Sequence, residues 1–297
     1  MTRKKQRTKR QHFVPQSYLS RFSTDGAHIS VFDKYQQRSF QASVRDVAQE
    51  AFFYDYPAGT RAAANPEELI DTQQIEKGLA IIEGGFSRLL TEVLRGVETR
   101  GLSTSDIERL SQYVALQWMR TKEYRECVIA IAQQSTQVVC DDVVRRTFPD
   151  AKPEDYPKVS LDPAHYAALH NEHFFNERAV YTIAWHLADH LWIIGIAPEG
   201  QALYTSDNPV VRRANQRIGD IALIGVNDPG VEFAFPISPR HLLMILERQY
   251  FARLNHLDGK TMRLSNDQVA DYNRLQVINP HFPDEPRWLG MRFAPEP

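Results

Sequence analysis

The chain has 297 residues, 42% of them apolar, enough for one large core and close to the size at which single cores stop growing. Its 35 basic and 37 acidic side chains leave a formal charge of -2, so the molecule as a whole has no pull toward polyanions or anionic membranes, and any attraction for nucleic acid must be local. Two cysteines in such a length exclude a disulfide scaffold, which suits a reducing cytoplasm.

The chain opens on a basic run, with Arg3, Lys4, Lys5, Arg7, Lys9 and Arg10 carrying six cations in eight residues. Like charges at that density repel, so residues 1–10 read as a disordered tail whose natural partner is phosphate, nucleic acid being the candidate; a solvated tail that aids solubility is the alternative. No apolar stretch of signal-peptide length follows it. The longest apolar window, Leu191 to Ala197, is far too short to span a bilayer, so no membrane association is expected.

Residues 11–60 read as a small α/β opening unit: a strand over His28 to Asp33 after a Thr24-Asp25-Gly26 turn, then a helical turn over Ser43 to Gln49. Residues 65–190 read as helical. Asn65 caps and Pro66 opens a first helix running to about Val97. Ser103 or Ser105 caps a second that reaches Phe148 and holds both Cys127 and Cys140, too far apart there for a disulfide. Four prolines between Pro149 and Pro163 mark an exposed connection, and a third helix follows to His190. Residues 191–297 read as strands over 191–197, 202–205, 221–226, 232–235 and 242–246, a mostly antiparallel meander, with a late helix capped by Ser265 and Gln268. The fold class is therefore α+β, a long-helix bundle in the middle and a mostly antiparallel strand region in the C-terminal third, in one composite domain.

Two stretches carry the polar chemistry. In Gln11-His12-Phe13-Val14-Pro15-Gln16-Ser17-Tyr18-Leu19 a proline stiffens the backbone beside a histidine that titrates near neutral pH, which suits a general base, a metal ligand or a hydrogen-bonded structural role. In Thr205-Ser206-Asp207-Asn208-Pro209 a strand ends in small polar residues before a proline; turn chemistry explains such a segment, and so does a carboxylate and amide held at a strand edge to grip a metal, a water or a sugar. His170 with His173, and His186 with His190, share helix faces at spacings that admit zinc, but the glutamate of a zinc-protease motif is missing. No phosphate-cradling glycine loop, dinucleotide fingerprint, nucleophile elbow or Cys-x-x-Cys occurs, which disfavours nucleotide motors, dehydrogenases, typical esterases and zinc ribbons.

The two polar stretches, with Ala115-Leu116-Gln117-Trp118-Met119-Arg120-Thr121 between them, resemble the bacterial domain of unknown function 4238 family over most of the chain. Family members often begin with two histidines, whereas Gln11 precedes His12 here. The resemblance implies candidate positions and no reaction: His12, Arg120, Asp207 and Asn208 as catalytic groups, with Gln16, Gln117 and Ser206 beside them for substrate. Such a set suits a cytoplasmic hydrolase of phosphodiester type acting on a phosphorylated or nucleic-acid substrate, Arg120 holding the anion and His12 or Asp207 activating water, with a divalent metal ion as a cofactor the set would admit. The competing expectation is a non-catalytic module that binds nucleic acid or protein through the basic tail and a polar groove. The sequence leaves the oligomeric state open.

Overall fold

The computed structural model describes residues 7–62, 65–174, 176–219, 221–277 and 291–294. The cations Arg3, Lys4 and Lys5 lie outside them. The chain starts with β1 (Arg10–His12), a four-residue helix α1 (Gln16–Leu19), and the hairpin of β2 (His28–Asp33) and β3 (Arg38–Ser43). β4 (Gln49–Ala51) then returns antiparallel to β1, placing Gln49 opposite His12. The helical turn expected over Ser43 to Gln49 is absent: Ser43 closes β3, pairing with His28, and the chain turns directly into β4.

A small hairpin, β5 (Arg61–Ala62) with β6 (Asn65–Leu69), stands where the sequence predicts a helix start. A proline is tolerated at such an edge because no ladder donor is needed there. The first long helix, α2 (Gln74–Arg100), begins nine residues later than Asn65, behind Asp71, which accepts the Gln73 N–H at 3.0 Å. The second expected helix is two: α3 (Thr104–Met119), closed at its start by the Ser103–Asp106 capping box, and α4 (Lys122–Thr147). The break falls at Thr121, which has extended geometry and whose hydroxyl accepts the Tyr124 N–H at 3.3 Å. A threonine that caps from its side chain competes with continuing the helix. Both free cysteines, Cys127 and Cys140, sit on α4. The third expected helix is likewise divided, into α5 (Tyr166–Phe174) and α6 (Glu177–Ala188), with Asn176 capping the second part through the Arg178 N–H.

The remainder holds β7 (Leu191–Ile196), β8 (Thr205–Ser206), β9 (Val211–Ala214), a minimal hairpin of β10 (Arg217–Ile218) and β11 (Ile221–Ala222), β12 (Val231–Pro236), β13 (His241–Leu246), β14 (Thr261–Arg263), α7 (Asn266–Leu275) and β15 (Met291–Ala294). Five of these strands form a sheet in the order β14-β7-β13-β12-β9. It is antiparallel except at β14, which runs parallel to β7, so the expected meander is a mixed sheet with one parallel edge. α7 carries the predicted Ser265–Gln268 capping box. A second sheet, β3-β2-β15-β8, joins the two ends of the chain.

The unbroken apolar runs of β7 and β13 have a simple cause, since every residue of both strands is buried. Alternate side chains point to opposite faces. Trp192, Ile194, Leu243 and Ile245 face a core shared with α2, α3, α6 and the opening unit, while Leu191, Ile193, Leu242 and Met244 face a smaller core under Phe251, Val269 and Tyr272. α3 lies against α6 and reaches the sheet through Trp118 on Phe233 and Tyr113 on Phe235. The opening unit is held by Tyr18, which stacks on Phe235 at 5.2 Å and donates to the Pro236 carbonyl at 2.6 Å. Between α2 and α3, Gly101 has φ +71°, and its neighbour Leu102 donates to the Gly259 carbonyl at 2.7 Å.

Candidate functional site

β1 alternates, so Gln11 and His12 point to opposite sides. Gln11 turns inward and is fully buried: its carbonyl accepts the Tyr54 N–H and its amide donates to Asp55, both at 2.6 Å. Asp55 also takes the Gln73 amide and the Arg7 guanidinium, and the Arg7 cation lies over the Phe52 ring. A histidine at position 11 would therefore not share a surface with His12.

His12 faces outward into an open cleft of about 580 Å³ between the opening unit and α2, also lined by Arg10, Gln16, Ser17, Glu76, Glu83 and Gly84. Burial holds the His12 imidazole below the usual range, with Arg120 and Arg10 pushing the same way against the Arg45 carbonyl and Glu83. The Gln16 amide nitrogen stands 3.4 Å from Nδ1, and a donor there leaves the neutral ring's hydrogen on Nε2. The Arg45 carbonyl favours the charged ring, yet no described group meets Nε2 with hydrogen-bonding geometry.

Opposite His12, Glu76 and Glu83 are seven residues apart on α2, about two turns, and so share its cleft face. Glu76 is half-buried, and burial first, then the Glu83 charge, raises its carboxyl to about 7 against the opposing Arg120. At neutral pH it is shared between acid and carboxylate. Glu83 is paired with Arg120 at 2.8 Å.

Arg120 stands behind the cleft. Its guanidinium is fully buried and donates to the His12 carbonyl at 2.6 Å, to Glu83, and to the Tyr54 hydroxyl at 3.4 Å, while Tyr54 donates to the Arg120 carbonyl at 3.0 Å. Burial alone would favour losing the proton, but Tyr54 and Glu83 outweigh it and keep the cation. Gln117, one turn earlier, donates to the Phe13 carbonyl at 3.1 Å, and its own carbonyl oxygen is buried with no partner among the described residues. Gln117 and Arg120 thus grip consecutive carbonyls beside His12. Both hold the main chain beside His12, and Arg120 also pairs with Glu83.

The Ser206-Asp207-Asn208 turn belongs to a different set of contacts. Ser206 donates to Gln276 at 2.8 Å and accepts the Asn208 N–H at 3.2 Å, and Gln276 donates to the Pro209 carbonyl. The Asn208 amide donates to Glu123, a carboxyl raised by burial, and the Asn208 carbonyl oxygen has no partner among the described residues. Asp207 is half-buried and acts on Tyr35 of the β2–β3 turn. The structure therefore brings His12, Gln16, Gln117 and Arg120 together, and places Ser206, Asp207 and Asn208 in a second polar cluster with Glu123 and Gln276. One histidine of each pair is held within the fold: His170 by the Met119 carbonyl at 2.8 Å and by Arg125, His186 by Asn227. Among the described residues, no group of three or more His, Cys, Asp or Glu side chains stands where it could hold a metal.

A family described as a protein of unknown function, DUF4238, matches residues 10–281. The chain belongs to the DUF4238 family. That span includes every residue of the DUF4238 cleft named above and every member of the second cluster. No curated protein and no solved structure matches the chain. Among the described residues, no helix is long and apolar enough to cross a membrane.

Sequence reasoning missed Glu76 and Glu83. The available signal was their seven-residue spacing on one helix face, hidden when the helix is started at Asn65 and its many charges are taken as solvated.

Proposed function

We propose that this family member is a hydrolase of phosphodiester type, acting on a nucleic-acid substrate in a bacterial cytoplasm, with its chemistry in the His12–Glu76 cleft. The reading is carried by one observation: a neutral imidazole and a carboxyl poised near 7 line the same open cleft, an environment-driven separation of acid and base. His12 takes a proton from water through Nδ1, the Gln16 amide giving way, as the water oxygen bonds to phosphorus. The bond from phosphorus to the leaving oxygen breaks, and the Glu76 acid supplies that oxygen with its proton. Water then carries the proton from His12 back to Glu76, which closes the cycle. Arg120 acts through others, fixing the His12 main chain and Glu83.

The test is turnover of bis(p-nitrophenyl) phosphate. His12→Ala should lose about a hundredfold or more, as removal of a general base does. Glu76→Gln should lose activity and flatten the alkaline limb, which in the wild type falls near pH 7; the acid limb follows His12, below 6.5. Undiminished turnover in both variants would end the proposal.

A second reading, binding without catalysis, is favoured by the Arg7–Asp55 anchor, which fixes part of the basic run beside the cleft. It expects salt-sensitive nucleic-acid binding that is lost on deleting residues 1 to 10 and survives Asp207→Ala, without turnover.

A further inference from the structure

Gly84 sits in the middle of α2 and lines the cleft. Its φ lies outside the left-handed region, so the backbone does not require glycine. A Cβ built there meets nothing within 4 Å, so packing does not require it either. In a helix interior glycine costs about 0.5–1 kcal/mol relative to alanine, and this fold gains nothing in return. Its neighbour Gly85 is equally unencumbered but does not line the cleft, which makes it an internal control.

On the same face of α2, Glu76, Ala80, Glu83, Gly84 and Ser87 follow one another along the cleft floor, eleven residues or about 16 Å of helix. The floor is low at Ala80, between the two carboxyls, and at Gly84, between Glu83 and Ser87, where it presents a methyl and a bare backbone. The floor's charge is muted, because Glu83 is neutralised by Arg120 and Glu76 is only partly ionised at neutral pH. Arg10, paired with Asp46, lines the cleft on the other side, and Arg7, paired with Asp55, stands next to Thr8 at its edge; a phosphate would have to share these cations with their carboxylates. Among the described residues, the lining has Gln16, Ser17, Thr8 and Ser87 for hydrogen bonds but no Phe, Tyr or Trp on which a base could stack.

We propose that the cleft takes an extended single strand of nucleic acid lying lengthwise on α2, its sugar–phosphate backbone passing closest to the helix at Gly84. The inference rests on the cleft reading above and adds the form of the ligand. It implies recognition of the backbone with little base selectivity, since stacking platforms are missing, and affinity that falls with salt as counterions are released.

Fluorescein-labelled oligothymidylate and oligoadenylate of about twelve nucleotides, followed by fluorescence anisotropy, provide the test. Wild-type protein should bind both within about threefold of each other. Gly84→Leu should weaken binding by about tenfold or more by filling the floor, while Gly85→Ala binds as wild type. Both variants, and Gly84→Ala, should melt at or above the wild-type temperature, because each replaces a helical glycine that nothing crowds. Wild-type affinity in Gly84→Leu, or no binding of either oligonucleotide by the wild type, overturns the inference. In that case continued turnover of bis(p-nitrophenyl) phosphate, dependent on His12, would leave the acid–base reading standing, and its loss would remove both.

Discussion

Replacing Glu76 by Gln should stabilise the protein at pH 8 and leave it almost unchanged at pH 5. Burial and the Glu83 charge carry this carboxyl from its usual 4.5 to about 7. The native state therefore keeps a proton that the unfolded chain has already released, and stability falls as pH rises between those values. At 1.36 kcal/mol per pH unit the full shift corresponds to roughly 3.4 kcal/mol. The side chain stays in contact with cleft water, so about half of that, ~1.5 kcal/mol, is the expected gain for Gln at pH 8. In a chain of this size such a gain moves the melting temperature by about 3–6 °C. Differential scanning calorimetry of both proteins at the two pH values measures it. A variant that shifts Tm equally at pH 5 and pH 8, or that lowers it at pH 8, would refute the argument that Glu76 is strained by its surroundings.

Removing Arg120 as Ala should cost about 3–5 kcal/mol in urea unfolding, because Glu83, the His12 carbonyl and the Tyr54 hydroxyl lose a buried cation. Arg120→Lys should recover only part, since a point charge cannot span three acceptors in different directions; a cost below about 1 kcal/mol for Ala would contradict the network. Burial, aided by Arg125, pushes the His170 imidazole down to about 3. Its folded value is depressed, so the unfolded chain takes up the proton first and stability is lost as pH falls from 6.5 toward 3, a slope that His170→Gln should flatten in acid-titration fluorescence. Gly101→Ala should lower Tm by several degrees, about 1–3 kcal/mol, because its Cβ would lie 2.3 Å from the Gly259 carbonyl oxygen at a φ of +71°. An unchanged melting curve would mean that the α2–α3 corner relaxes freely.

Elements fixed by local chemistry were legible in the sequence. The Ser103 and Ser265 capping boxes, the 28–33 strand and the apolar runs at 191–196 and 241–246 all form as their residues suggest. What failed was the placement of boundaries decided by competition. Residues 65–69 have the composition of a helix start, but pairing with Arg61 and Ala62 claims their backbone first. Thr121 looks like one more residue in a long helix until its hydroxyl caps a new one. Ser206 and Asn208 bond to Gln276 and Glu123, whereas His12, Gln117 and Arg120, which the sequence reading groups with them, meet in the site. The partners that tune them, Glu76, Glu83 and Tyr54, come from segments whose patterns announce only amphipathic helix and buried aromatic. Long-range electrostatics leaves little trace in local spacing.

The strand β15, Met291–Ala294, is inserted between β2 and β8, giving the second sheet a link across nearly the whole chain. Until residues 291–294 pair, one edge of β2 and one edge of β8 lack the strand that joins them. Pairing across so long a sequence separation closes slowly, and edges left open in the meantime are prone to capturing a neighbour's strand.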